Sequence, residues 1–202
     1  MGLDRNRFFR MIRLRPWKGR LSTGQVAGLN AILDGWKGRA PDLPATALAY
    51  VLATAYHETA ATMQPVRETL AKSDAAAIER LERAFRAGRL GSVKTPYWRR
   101  DRDGKAWFGR GLVQLTHRRN YVTMSKLVGI DLVADPGRLL ELPVSVEVLI
   151  EGMRHGTFTG RTLGDYFTAR KSDWIRARRI INGTDRAELV AGHGRAFADA
   201  LG

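Results

Sequence analysis

Residues 45 to 63 read ATALAYVLATAYHETAATM, the most apolar run of the chain. Leu48, Tyr50, Val51, Leu52 and Ala55 fall on several sides of a helical wheel. The stretch therefore predicts a helix over 45–63 buried at the centre of the molecule, without a single wet face. Pro41 and Pro44 mark the loop before it, and Pro65 ends it. Near its end stands Glu58, in Tyr56-His57-Glu58-Thr59. Glutamate is seldom buried without a partner or a task. In apolar surroundings, desolvation disfavours the charged carboxyl and leaves a proton donor at neutral pH. The competing reading is a solvated helix-end Glu paired with Lys or Arg.

Outward from this helix the pattern stays helical. Asp4 can cap a short amphipathic helix to about Leu14, with Phe8, Met11 and Ile12 on one face. Ser22 and Gln25 form a capping-box pattern, opening a helix that carries Val26, Leu29, Ile32, Leu33 and Trp36 and ends near Gly38. Further helices are expected over 74–87, 118–128, 138–155, 172–181 and 187–201. Tyr97-Trp98, Asp103-Gly104 and Trp107-Phe108 read as a hairpin, aromatic pairs around an Asp-Gly turn. The expected fold class is mainly α with a small β-hairpin, in one domain of residues 1–202.

Composition narrows the chemistry. The 202 residues contain no cysteine, which removes disulfides, thiol nucleophiles and cysteine-based metal sites. His57, His117, His155 and His193 are scattered without metal-ligand spacing, so neither a metal nor a cofactor is expected. Thirty-four Lys and Arg against 20 Asp and Glu give a net charge of +14. Such a surface favours anionic polymers or anionic lipid. Residues 1–20 form a basic amphipathic segment without the uninterrupted apolar run of a signal peptide, so synthesis in the cytoplasm is expected. No stretch has the length and apolarity of a membrane span.

Two further stretches carry chemistry. Glu68 follows Glu58 by ten residues, beyond the helix break, and can face it across a cleft. A pair of carboxylates, one to protonate the leaving oxygen and one to activate water, is what glycosidic hydrolysis requires. Neighbouring Arg67 would help keep Glu68 ionised; otherwise Glu68 is a loop residue that simply partners Arg67. Gly109-Arg110-Gly111 then leads to Gln114-Leu115-Thr116 and Asn120-Tyr121. Glycines admit close backbone approach, Gln114 and Asn120 can bind sugar hydroxyls, and Thr116 can hold a water. Trp107 and its aromatic neighbours can stack on sugar faces or pack a hairpin.

His57-Glu58-Thr59, Gly109-Arg110-Gly111 with Gln114-Leu115-Thr116 and Asn120-Tyr121, and Ile180-Ile181-Asn182-Gly183 together resemble glycoside hydrolase family 19, over about 48–201. That family holds chitinases and a bacterial and phage branch of peptidoglycan-cleaving endolysins. The resemblance implies a lysozyme-like two-lobed α-rich domain. It implies Glu58 as general acid, Glu68 as second carboxylate and Thr116 as holder of the attacking water. Gln114, Asn120, Tyr121, Asn182 and Arg195 would contact substrate, and His57 would support the acid from behind. Leu112 stands where plant chitinases have proline, and the cysteines of their disulfides are missing. A helical segment of about 69–94 is inserted, and its Glu79 and Glu82, beside Arg80, Arg83 and Arg86, read as a solvated charged face. These departures point to the endolysin branch.

The expectation is a monomeric peptidoglycan hydrolase, a muramidase, acting on glycan strands and the anionic bacterial envelope in the periplasm or cell wall after release. Ten Lys or Arg and two Asp lie between Arg86 and Arg119; chitin is neutral and has little use for them. Three alternatives stay open. One is a chitinase on the same fold. Another is a non-catalytic basic protein binding nucleic acid or envelope, although no specific nucleic acid is expected. The third is membrane disruption by residues 1–20, which can accompany hydrolysis.

Overall fold

The computed structural model describes residues 3–91 and 93–202. Met1 and Gly2 of the basic N-terminal segment and Ser92 of the expected insertion lie outside them. Among the described residues are seven α-helices: α1 (Arg5–Leu14), α2 (Thr23–Arg39), α3 (Ala45–Glu58), α4 (Asp74–Arg86), α5 (Arg118–Val128), α6 (Leu142–His155) and α7 (Ala187–Leu201). The fold is the α-rich, lysozyme-like one expected.

Helix α3 is the hub. Its residues 47–55 are all buried, and it packs chiefly against α7. Gly194 of α7 lies close to α3: a Cβ there would lie 3.5 Å from the Tyr50 ring. α2 lies on α6, and α1 on α7, where Phe8 stacks on Phe197 at 6.5 Å. The caps read from sequence are in place. Asp4 accepts from Arg7 N at 3.0 Å, and Ser22 and Gln25 bond each other's backbone N–H. Phe8 and Ile12 of α1 are fully buried, so the apolar face that a membrane-active helix would insert is already occupied by the core. No helix among the described residues is long and apolar enough to cross a membrane.

A second, smaller core sets off a minor lobe. Trp98 and Phe108 are fully buried there with Ala71, Ala77, Leu81 and Ala106, and α4 covers them. Glu79 and Glu82 pair with Arg83 and Arg86 along α4, as their spacing predicts. Glu82 does more than that: it also accepts from Arg99 and from the Trp98 indole at 3.1 Å, tying the helix to the aromatic core.

Four expectations are corrected. Residues 97–108 form a hydrogen-bonded turn without a strand ladder. Asp101 Oδ1 takes the N–H groups of Asp103 and Lys105; the Trp98 and Phe108 rings enter the minor core and Trp107 packs in the main one. The strands lie elsewhere: β1 (Val66–Arg67) pairs antiparallel with β2 (Arg110–Gly111), and β3 (Phe167–Thr168) forms the hairpin with β4 (Lys171–Ser172). The helix expected over 172–181 is a 3-10 turn, Arg176–Ile180, because Ala177, Arg178 and Ile180 must all face inward. The span 138–155 is split into a 3-10 turn, Pro136–Leu140, and α6, with Pro143 seated in the first helical turn, where its missing N–H costs nothing.

The fourth correction positions the site. α3 stops at Glu58, five residues short of the expected end, and Thr59 stops it. The Thr59 hydroxyl donates to Ala55 O at 2.7 Å and accepts from Met63 N at 3.0 Å. The backbone then passes through positive φ at Ala60, Ala61 and Met63. Gly28 holds this turn against α2, since a Cβ there would lie 1.8 Å from the Met63 carbonyl oxygen. Gly28→Ala is expected to cost about 3 kcal/mol despite alanine's better helix propensity, the upper end of overpacking penalties, because the obstacle is backbone. Urea denaturation checks this.

Candidate active site

Glu58 sits at the C-terminal end of α3, the negative end of the helix dipole, where an anionic carboxylate is disfavoured. The compensating charge comes from Arg178. Its Nη1 donates to Glu58 Oε1 at 2.7 Å, and its Nε donates to Asp185 O at 2.9 Å. The arginine side chain is 3% exposed and the glutamate 16%. Glu58 thus stands in a buried ion pair, which joins the buried carboxyl and the Arg-paired helix end that the sequence left open, and Oε2 has no hydrogen-bond partner among the described residues. His57, half-buried beside it, is held below its ordinary pKa by burial first, with Arg178 and Arg186 adding to the effect against Glu58.

Glu58 lines a cavity of about 280 Å³, near the small end of ligand sites. Gln114, Thr116, Asn120 and Asn182 line it too, with Val113, Leu115, Phe158 and Ile181 as the apolar wall. Gln114, at positive φ, donates its amide to Val66 O at 3.1 Å, bracing β1. Asn120 donates to Thr116 O at 2.8 Å. A larger groove, about 810 Å³, runs along α4, but its acidic side chains are already paired with arginines.

Glu68 does not line the cavity itself. Its Oε2 accepts from Gly109 N at 2.7 Å, and its own N–H donates to Gly109 O at 2.7 Å. Tyr97 OH donates to Oε1 at 2.8 Å. Gly109 abuts the cavity wall: a Cβ there would lie 2.9 Å from Gln114 Oε1 and 3.3 Å from Thr116 Cγ2. The second carboxylate is therefore one residue behind that wall, held by the backbone between Phe108 and Arg110.

Several other expected site residues lie elsewhere. Arg67 pairs with Asp74 at 2.6 Å, leaving Glu68 to other donors. Tyr121 is fully buried. Its hydroxyl donates to Phe108 O at 3.0 Å, accepts from Arg110 at 3.1 Å, and has its pKa pushed up to about 12 by burial. Trp107 is 5% exposed and donates to Asp101 at 2.9 Å, so no ring face is open to a sugar. Arg195 is exposed on α7 and does not line the cavity; the arginine that meets Glu58 is Arg178, buried behind it. The sequence does not single out Arg178, since among 34 basic residues one more arginine carries no signal, and it offers Tyr97 only as a ring to stack on sugars or pack a hairpin, without its bond to Glu68.

The arginine of Gly109-Arg110-Gly111 is structural. Its guanidinium lies 3.7 Å over the Phe108 ring and is 2% exposed. It donates to Ala106 O at 2.9 Å and to Asp74 at 2.8 Å. Burial raises the Asp74 pKa, and the hydrogen bonds from Arg67 and Arg110 outweigh it, for a net depression. Asp74→Asn leaves Arg110 buried with no counter-charge. The expected cost is about 2 kcal/mol at pH 7, below the range for fully buried pairs because Asp74 is 37% exposed. A depressed folded pKa stabilises above the unfolded value and loses that effect as pH falls through the folded value. The gap between wild type and variant in urea melts should therefore narrow below about pH 4.

No family model matches the chain, and no curated protein does. A solved structure of a bacterial family 19 chitinase matches it with a TM-score of 0.54, covering 99% of this chain and 95% of that chain at 19% identity. The chain thus has the glycoside hydrolase fold of a family 19 chitinase.

Proposed function

We propose that the protein is a glycoside hydrolase that cleaves β-1,4 bonds in the glycan strand of peptidoglycan, as a muramidase. The observation that carries the reading is one cavity in which Glu58 meets Thr116, Asn120 and Asn182, brought from two other segments of the chain. The bond is broken by single displacement. Glu58 takes up a proton on Oε2 against the pull of the Arg178 charge and passes it to the glycosidic oxygen as the bond to C1 breaks. A water held by Thr116 forms the new C1–O bond, and its proton passes through a second water to Glu68 behind the cavity wall. Gln114, Asn120 and Asn182 hold the sugars, and no cofactor enters.

Charge favours peptidoglycan as substrate. Its lactyl and peptide carboxylates complement a net charge of +14, and the anionic envelope would concentrate the enzyme at its site of action after release from the cytoplasm. A second reading, a chitinase, is favoured by the fold likeness. A non-catalytic basic binder leaves the Glu58 cavity unexplained.

Digestion of purified sacculi with mass spectrometry of the reducing ends tests the proposal. N-acetylmuramic acid ends are expected, and N-acetylglucosamine ends would mean glucosaminidase. Faster turnover of soluble chitin oligomers would favour the chitinase. Glu58→Gln should lose about 10³-fold in rate. Because it leaves Arg178 buried without its counter-charge, it should also melt several degrees lower, so the rate is compared well below the transition with the fold checked by circular dichroism. Full activity in that variant refutes the scheme. Raising salt from 50 to 500 mM should slow sacculus digestion several-fold and spare a neutral oligosaccharide substrate, since screening acts only on the charged partner.

A further inference from the structure

We infer that Tyr97 is the positioning residue of the second carboxylate: its hydroxyl, bonded to Glu68 Oε1, fixes the plane in which Glu68 receives the proton of the attacking water. The inference rests on the proposed role of Glu68 and goes beyond it, because Tyr97 belongs to none of the motifs that point to the site.

Glu68 enters the site from a short strand whose pairing ends at Arg67, and the backbone turns through positive φ at Thr69 and Leu70 directly after it. On one side its carboxylate is tied to Gly109 N. That single bond leaves the group free to swing about its own axis. Without a second anchor the carboxylate could turn about that bond and away from the cavity wall. Tyr97 supplies that anchor at 2.8 Å on the other oxygen. An ionised carboxylate offers about four acceptor positions, so two remain for water.

Tyr97 is itself well fixed. Its carbonyl accepts from Trp107 N at 3.0 Å, and its ring packs on His117 at 4.5 Å and on Trp98 at 5.1 Å. His117 follows Thr116 directly and sits at positive φ at the start of α5. One tyrosine thus touches the carboxylate and the residue beside the water-holding threonine. Burial, and the charge of Glu68, push the Tyr97 pKa well above its ordinary value, so the hydroxyl stays protonated and remains a donor.

The test is Tyr97→Phe in the full chain, with glycan turnover followed on purified sacculi and on a soluble fragment. Phenylalanine keeps the ring contacts and removes only the donor. The expected result is a kcat about tenfold lower, KM within twofold, and a melting temperature within a few degrees. The effect should vanish in a Glu68→Gln background, since a residue acting through Glu68 has nothing left to position. A kcat within twofold of wild type, or the same tenfold loss in both backgrounds, overturns the inference. If Glu58→Gln is inactive while Tyr97→Phe is normal, the hydrolase reading stands and this inference falls. If Glu58→Gln is active, the hydrolase reading itself falls.

Discussion

A guanidinium buried to 3% exposure and a carboxylate at the end of an apolar helix hold the cleft together. Either charge alone would be costly in that position. The Glu58 carboxylate would face the negative end of α3, and Arg178 would be stranded inside the protein. Paired at 2.7 Å, they bind the end of α3 to the 176–180 turn, and through Asp185 O to the approach of α7. The turn is 3-10 rather than α because it must deliver Arg178 inward while Ala177 and Ile180 stay in the core.

The minor lobe is joined by a second buried guanidinium. Arg110 lies against Phe108, reaches the backbone of 106 and 108, and meets Asp74 at the start of α4. Asp74 also takes Arg67, so one carboxylate links the two strands of the β1–β2 pair to the helix that covers the aromatic core. This joint frees Glu68 from its neighbour. Arg67 is committed elsewhere, and the Glu68 carboxylate turns to Gly109 and Tyr97.

Backbone strain is concentrated around the same place. Among the described residues, seven of the nine non-glycine positions with positive φ are Ala60, Ala61, Met63, Thr69, Leu70, Gln114 and His117. They follow Glu58, follow Glu68, or flank Thr116. Such conformations cost roughly 1 to 3 kcal/mol each and persist only where the surroundings over-determine them. Here the determinants are the Thr59 hydroxyl, the close approach of α2 at Gly28, and the Gln114 amide on Val66 O. The core therefore supports a set of bends that present polar side chains to one cavity.

The amino-acid sequence by itself determined most of the helices and the caps of the first two, because apolar period and cap chemistry are local. Asp4, Ser22 with Gln25, and the buried stretch that begins at Ala45 could each be read without a partner. It also marked Glu58, Gln114, Thr116, Asn120 and Asn182, whose side chains share one cavity. The tertiary structure alone decided which arginines matter. Arg178 and Arg110 are buried and Arg195 is exposed, a difference that depends on long-range partners and leaves no trace in a chain rich in basic residues. It also decided that Tyr121 and Trp107 are packing groups and that Tyr97 meets Glu68. Those contacts join residues 29 or more positions apart or turn rings into a core whose walls come from distant segments, and no local pattern encodes them.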